Sequence, residues 1–384
     1  MATYKKLVDT WSISAGARRT FKLRDLDKRI DGRIAYLQRV TLRSILTVSF
    51  TAQPGVVGHN NLFKKITFAP FGGSQVRASL SGNALRMFER LENGKAKVGE
   101  AIQTTTGSPR HFSRVIEMGP ANAANPEEFA ICCAGMVDGT LEVEFGALTD
   151  ISADTTAMSG TVQVIAEYIV RDNELVVGPT YERREDFVAM GEILTGEQLL
   201  MTLGLVNSSS YDALAAGDIA NVTLETGRFN PINSVPAEAL TACFNHDFAP
   251  GEIGAIQGEP EDATDVHQRQ VNLASPTAIA AQTADLQPIW WSGKDSYITK
   301  AGVYCPNQFK LLWSGSQTST GTGRLTGRAL PLEASEVQRV VDTACRELGI
   351  VTGAPTVKTL SKEPFKGPAW LRRFMPHYAK AGRA

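Results

Sequence analysis

In "VTLRSILTVSF", residues 40–50, the apolar side chains Val40, Leu42, Leu46, Val48 and Phe50 share one parity, while Thr41, Arg43, Thr47 and Ser49 take the other. That two-residue period predicts a β-strand with one buried face. The same alternation recurs in "TLEVEF" at Leu141, Val143 and Phe145, and in "TVQVIAEYIV" at Val162, Val164, Ala166, Tyr168 and Val170. Shorter stretches of this kind are "QLLMTLGLV", "NVTLET" and "QFKLLW". One-sided alternation points to antiparallel sheets, because a parallel sheet covered on both faces reads as solid apolar runs.

Helical periodicity is sparse. Ala84, Met87, Phe88 and Leu91 follow the i, i+3, i+4, i+7 rule, with Ser81 placed as an N-cap. "SVPAEALTACF" predicts a second short helix, with Pro236 in its first turn and Ala237, Leu240 and Phe244 on one stripe. The longest stripe is Val337, Val340, Val341, Ala344 and Leu348, opened by acidic residues and closed by Gly349. Tyr4, Leu7, Val8 and Trp11 also fall at helical spacing, opposite Lys5, Lys6 and Asp9, and predict an amphipathic N-terminal turn.

The strand-loop-strand-helix order occurs twice. A shift of 156 carries Phe50 to Val206, Ile66 to Val222, Phe68 to Leu224 and Phe88 to Phe244. The reading is two copies of one β-rich unit. Residues 1–33 form an N-terminal arm with a short amphipathic helix, 34–180 the first unit, 181–330 the second, and 331–384 a C-terminal helix and basic tail. The linker falls in "RDNELVVGPTYERRED", residues 171–186, where alternation gives way to charge and a Gly-Pro turn.

With 384 residues, 43% apolar and 21% charged, the chain has material for two cores. Its net charge of −1 hides an uneven distribution. Residues 1–33 hold nine Lys/Arg against four Asp/Glu, and residues 356–384 hold seven against one. The remaining residues carry 23 basic and 35 acidic side chains, a net −12. Basic ends on an acidic body point to ends that touch something anionic, or that salt-bridge to neighbouring subunits. No apolar leader opens the sequence and no stretch has the ~20 apolar residues of a membrane-spanning helix. Cys132, Cys133, Cys243, Cys305 and Cys345 lack metal-ligand spacing and read as reduced, buried thiols of a protein made in the cytoplasm.

Catalytic patterns are near misses. "TGTGRLTG", residues 320–327, has Thr326 where a dinucleotide loop needs its third glycine, and is expected to be a surface loop. The five histidines stand singly, with His246 beside Asp247 in a predicted turn. Glu259, Glu261, Asp262 and Asp265 offer oxygen ligands without the spacing of a calcium loop, which leaves a solvated loop tip. No catalytic residue, cofactor or metal ligand is assigned. The C-terminal tail interleaves Lys366, Trp370, Arg372, Arg373, Phe374 and Lys380, the mixture of rings and cations that suits a lipid headgroup layer or a sister subunit. Stacking on single-stranded nucleic acid ranks second. With Tyr4, Lys5, Lys6 and Trp11, these are the candidate membrane- or neighbour-contacting residues.

The stretches "LQRVTLRSILTVSF", "NLFKKITFAPF" and "SGNALRMFERLENG", with their echoes from Gln198 to Phe244, resemble the double jelly-roll major capsid proteins of tailless icosahedral, membrane-containing phages, the tectiviruses and corticoviruses. That resemblance implies an all-β chain of two tandem eight-stranded jelly-roll sandwiches with short inserted helices and a C-terminal helix. It implies pseudo-hexameric homotrimers tiling an icosahedral virion shell beside penton and minor capsid proteins, with the termini underneath, near an internal membrane. The helix from Glu333 to Leu348 and the tail beyond it exceed the minimal family pattern. Two other readings stand beside it: a carbohydrate-binding or glycan-cleaving β-sandwich using Trp290, Trp291 and Trp313, and a phage spike or accessory protein.

Overall fold

The computed structural model describes residues 3–52, 59–73, 75–93, 106–119, 126–172, 175–187, 193–194, 198–207, 220–225, 232–236, 239, 286–290, 303–305, 309–314, 322–330, 332–350 and 357–359. Two jelly rolls follow one another along the chain. The first uses β1 (Thr3–Ser12), β2 (Arg18–Lys22), β4 (Arg33–Phe50), β5 (Phe63–Ala69), β6 (Ala78–Leu80), β7 (Pro109–Glu117), β9 (Thr140–Phe145) and β10 (Thr155–Arg171). One of its sheets runs β1-β10-β4-β7 and the other β2-β9-β5-β6. Two-residue strands β3 (Arg29–Ile30) and β8 (Ile131–Cys132) add to β4.

The second roll repeats this wiring. It uses β12 (Thr180–Phe187), β13 (Ile193–Leu194), β14 (Gln198–Asn207), β15 (Asn221–Glu225), β16 (Ile232–Pro236), β17 (Leu286–Trp290), β19 (Phe309–Ser314) and β20 (Thr322–Leu330). Its sheets run β12-β20-β14-β17 and β13-β19-β15-β16, with β18 (Val303–Cys305) added to β14. Each roll therefore has eight described strands in the order of a Greek-key sandwich.

The alternation read from the sequence is the alternation of burial. Leu141, Val143 and Phe145 on β9, and Val162, Val164, Ala166 and Tyr168 on β10, are fully buried. In β4 the residues Ile34 to Leu37 are buried in succession, because β8 and the segment around Cys133 cover the face that is wet further along. Each buried Leu, Ile or Val there contributes on the order of 1.5–3 kcal/mol. Helix α1 (Gly82–Asn93) starts as expected, with the Ser81 hydroxyl accepting from the Ala84 N–H at 3.1 Å. Helix α2 (Ala334–Leu348) starts after Glu333, whose N–H donates to the Glu336 carboxylate at 3.1 Å, and ends at Gly349, whose φ of 66° is the left-handed geometry glycine tolerates. Its buried face, Val340, Val341, Ala344 and Cys345, docks on the first roll. At Gly135 a side chain would meet Val340 at 2.8 Å, so the glycine permits that approach. After α2 the chain returns as β21 (Val357–Thr359), paired in parallel with β11 (Leu175–Val177) between the rolls.

Four expectations are corrected. Residues 1–33 are not an arm with an amphipathic helix: Thr3–Ser12 is strand β1, paired with β10 from Thr3↔Ile169 to Ser12↔Thr161, and β2 completes the opposite sheet. Long-range pairing and the β-favouring residues Thr, Tyr, Val and Trp override an i, i+4 spacing that arises by chance in ten residues. "TGRLTG" is not a surface loop but lies in β20, between β12 and β14, where Gly327 is buried. Pro236 is the last residue of strand β16 and not part of a helix's first turn, while Ala239, the one described residue that follows it in the predicted helical stretch, is helical. The charged stretch "TYERREDF" is strand β12 and not linker, which leaves residues 172–179 between β10 and β12.

Candidate functional site

Strand direction fixes where the surfaces lie. β1, β4 and β6 run one way, and β12 pairs in parallel with β6 through Arg183↔Ala78 and Arg184↔Ser79. The two rolls therefore stand side by side with the same orientation. β6 and β12 fuse one sheet of each roll into a continuous nine-stranded sheet. One end, called basal, holds Thr3, the Asp31–Gly32 turn, the start of β12 and the end of β20. The other, distal, holds Ser12, Phe50, Phe187, Asn207, Pro236 and Leu286.

The seam between the rolls is built from buried cations. The Arg183 N–H donates to the Arg77 carbonyl at 2.8 Å, and Arg77 Nε donates to Thr180 Oγ1 at 2.7 Å. Arg183 reaches into the first roll, donating to the Glu117 carbonyl at 3.1 Å with its guanidinium 5.9 Å from the Phe88 ring and 4.7 Å from that of Tyr181. Tyr181 meets Phe129 edge-on at 6.4 Å, and Glu185 accepts from the Ser81 N–H at 2.7 Å. Buried arginine suits this place because its planar fork satisfies several acceptors and stacks on rings while staying charged. Behind the seam, Arg114 and Glu89, 2% and 8% exposed, form a buried ion pair at 3.6 Å, and Glu89 also accepts from the Val115 N–H at 3.0 Å. Sequence patterning missed all of these. Charged residues in an apolar-poor strand read as solvated, and only the partner strand shows that they are enclosed.

The basal end gathers the N-terminal candidates and the docking of α2. Tyr4 donates to Asp31 at 3.0 Å and accepts from Arg33 at 2.9 Å. Lys6 pairs with Asp27 at 2.8 Å, and Lys5 with Glu167 at 3.4 Å. Lys28 holds Glu347, and its hydrogen bond keeps that carboxyl below the ordinary glutamate range. Arg29 donates to the Leu348 carbonyl at 3.3 Å, so cations sit at the negative end of the α2 dipole. Trp11 is a correction among the predicted contact residues. It is 6% exposed in the core, its indole N–H bonded to Asp9 at 2.7 Å, and so is not a surface anchor. Tyr4, Lys5 and Lys6 remain at the surface, each already paired within the chain. Among the described residues one large apolar side chain stands in water: Leu7, 53% exposed, on the edge strand β1.

Lys366, Trp370, Arg372, Arg373, Phe374 and Lys380 lie outside the described residues, as do His246, Asp247, Trp291 and the acidic stretch from Glu259 to Asp265. Trp290 and Trp313 belong to β17 and β19, without described side-chain surroundings. Among the described residues no group of three or more His, Cys, Asp or Glu is placed to hold a metal ion, and no helix is long and apolar enough to cross a membrane. Cys132, Cys133 and Cys345 are buried free thiols, and burial raises Cys132 to about 11 and Cys133 well above its usual value.

No protein-family model matches the chain, and no curated protein matches it in sequence. Solved structures do. The crystal structure of the major capsid protein of Sulfolobus turreted icosahedral virus aligns with a TM-score of 0.57 at 12% identity, over 86% of this chain and 98% of that one. A chain in the atomic structure of the same virus aligns at 0.55 and 12% identity, over 90% and 98%. The major capsid protein P2 of bacteriophage PM2 aligns at 0.49 and 11% identity, over 87% and 99%. At such identity the likeness to the archaeal virus protein is one of fold: this chain has the double jelly-roll fold.

Proposed function

We propose that this chain is the major capsid protein of an icosahedral virus, a structural subunit that acts through contact area and carries out no chemistry. The observation that carries the reading is the pair of like-oriented rolls locked by one nine-stranded sheet. Two rolls side by side give a subunit with two similar lateral faces, so three copies present six and fit positions of local sixfold symmetry. The shared fold of the archaeal virus capsid protein, matched over 98% of its length, supports this. Contacts of this kind bury ~2,000 Å² or more, which antiparallel sandwiches supply from their flanks.

The basal end is the inward face in this reading. The N-terminal strand starts there, and β21, the last described strand, pairs with the segment between the rolls beside it. The last described residue, Thr359, lies at the same end as Lys5, Lys6, Arg29 and Arg33, and the basic sequence that follows it suits an anionic surface such as an internal membrane. Penton and minor capsid proteins would meet the lateral flanks. Size-exclusion with light scattering, followed by electron microscopy of the purified protein, tests the reading. A stable trimer, and particles on concentration, are expected. A persistent monomer at tens of micromolar would remove it.

A further inference from the structure

Helix α1 carries half of an N-terminal cap in its own sequence and takes the other half from the second roll. At its start the Ser81 hydroxyl accepts from the Ala84 N–H at 3.1 Å. In a complete capping box the side chain three residues after the cap reaches back to the cap's own N–H. Here that residue is Ala84, a buried alanine whose methyl group accepts nothing. The Ser81 N–H instead donates to the Glu185 carboxylate of β12 at 2.7 Å, from 104 residues further along the chain. The same strand also touches the body of the helix, with the Arg183 guanidinium 5.9 Å from the Phe88 ring.

Further along, α1 covers a strand edge. Glu89 accepts from the Val115 N–H at 3.0 Å and pairs with Arg114 at 3.6 Å. Val115 lies on β7, which pairs only with β4 among the described residues, so its outer side is an edge. Bare edge amides invite pairing with another chain, and the helix carboxylate fills that place at Val115. From Ser81 to Glu89 the helix spans about 12 Å, and so joins the seam between the rolls to an edge of the first roll's sheet. A helix of 12 residues is marginal by itself, so an acceptor at its first turn is felt along its length.

We propose that α1 is a conformational coupler: docking of β12, registered by Glu185 at the Ser81 N–H, holds the helix and thereby keeps Glu89 over the β7 edge. Glu185 is a positioning residue in this scheme and acts on β7 only through α1. Coupling between two sites is reciprocal, so loosening the start of α1 also loosens β12. The first sandwich gains a guarded β7 edge only once the second roll is in place. The device lies within one chain and does not depend on what the subunit builds.

Hydrogen exchange of the full chain, resolved to single amides by fragmentation mass spectrometry, tests it. Glu185→Ala is expected to speed exchange about five- to tenfold at Ala84, Leu85 and Val115, with β9 and β10 unchanged. Glu185→Gln keeps an acceptor oxygen and should restore most of that protection. Ser81→Ala breaks the cap from the first-roll side and should speed exchange in β12 about twofold or more. Glu185→Asp, one methylene shorter, repeats the pattern at smaller amplitude and decides the matter if circular dichroism shows Glu185→Ala unfolded. Faster exchange at Ala84 and Leu85 with Val115 still protected would reduce Glu185 to a local cap and overturn the coupling. So would an equal rise in β9 and β10, a failure of Glu185→Gln to restore protection, or no response of β12 to Ser81→Ala.

Discussion

Gly160 is a position where one methyl group decides the outcome. Its φ is 132°, and a Cβ there would lie 1.9 Å from the Ile45 carbonyl, in the middle of the β4–β10 pair. Gly160→Ala is expected to destabilise the protein by about 2–4 kcal/mol, combining backbone strain with a forced shift of the neighbouring strand. A urea titration followed by tryptophan fluorescence measures it. Arg114→Ala removes the buried cation paired with Glu89 and should cost about 3–5 kcal/mol by the same assay. The thiols give a chemical readout. With Cys132 pushed up to about 11, its thiolate at pH 8 is on the order of a hundredfold rarer than that of an ordinary cysteine. Iodoacetamide should leave Cys132 and Cys133 unmodified in the native protein and label them after denaturation, as read by peptide mass spectrometry.

At the scale of elements, the strands with one dry face were readable from sequence because burial and period coincide, as in β9 and β10. The capped helices were readable for a similar reason, since Ser81 and Gly349 act on their own turns. What could not be read was every element whose state depends on a distant partner. β1 carries a helical spacing but is held by residues about 150 or more positions away, β12 is charged yet enclosed, and β20 is glycine-rich yet central. The contact residues fared likewise: Lys5 and Lys6 were visible as charge, whereas their carboxylate partners and the burial of Trp11 were not. Docking of α2 makes a pH prediction. Glu347 is depressed by Lys28, so its contribution is present above the ordinary glutamate value and is lost as pH falls through the lower folded value. Glu347→Gln should lower the melting temperature at pH 7, with the difference shrinking as the pH falls below the ordinary glutamate value.

For the whole molecule, the seam couples two sandwiches that would otherwise melt separately. Arg183→Ala removes the contacts to Glu117, Phe88 and Tyr181 together and is expected to split a single calorimetric transition into two. The α2 helix has a longer reach in time than in space. It closes over Gly135 and the buried Cys132–Cys133 segment of the first roll, although some 200 residues of other strands intervene in the sequence. During synthesis, at roughly 5–20 residues per second, the first sandwich must therefore wait tens of seconds with an apolar patch exposed. The nascent chain is most vulnerable in that interval, and a ribosome-bound holdase that shields the patch would do more for yield than any gain in the stability of the finished subunit.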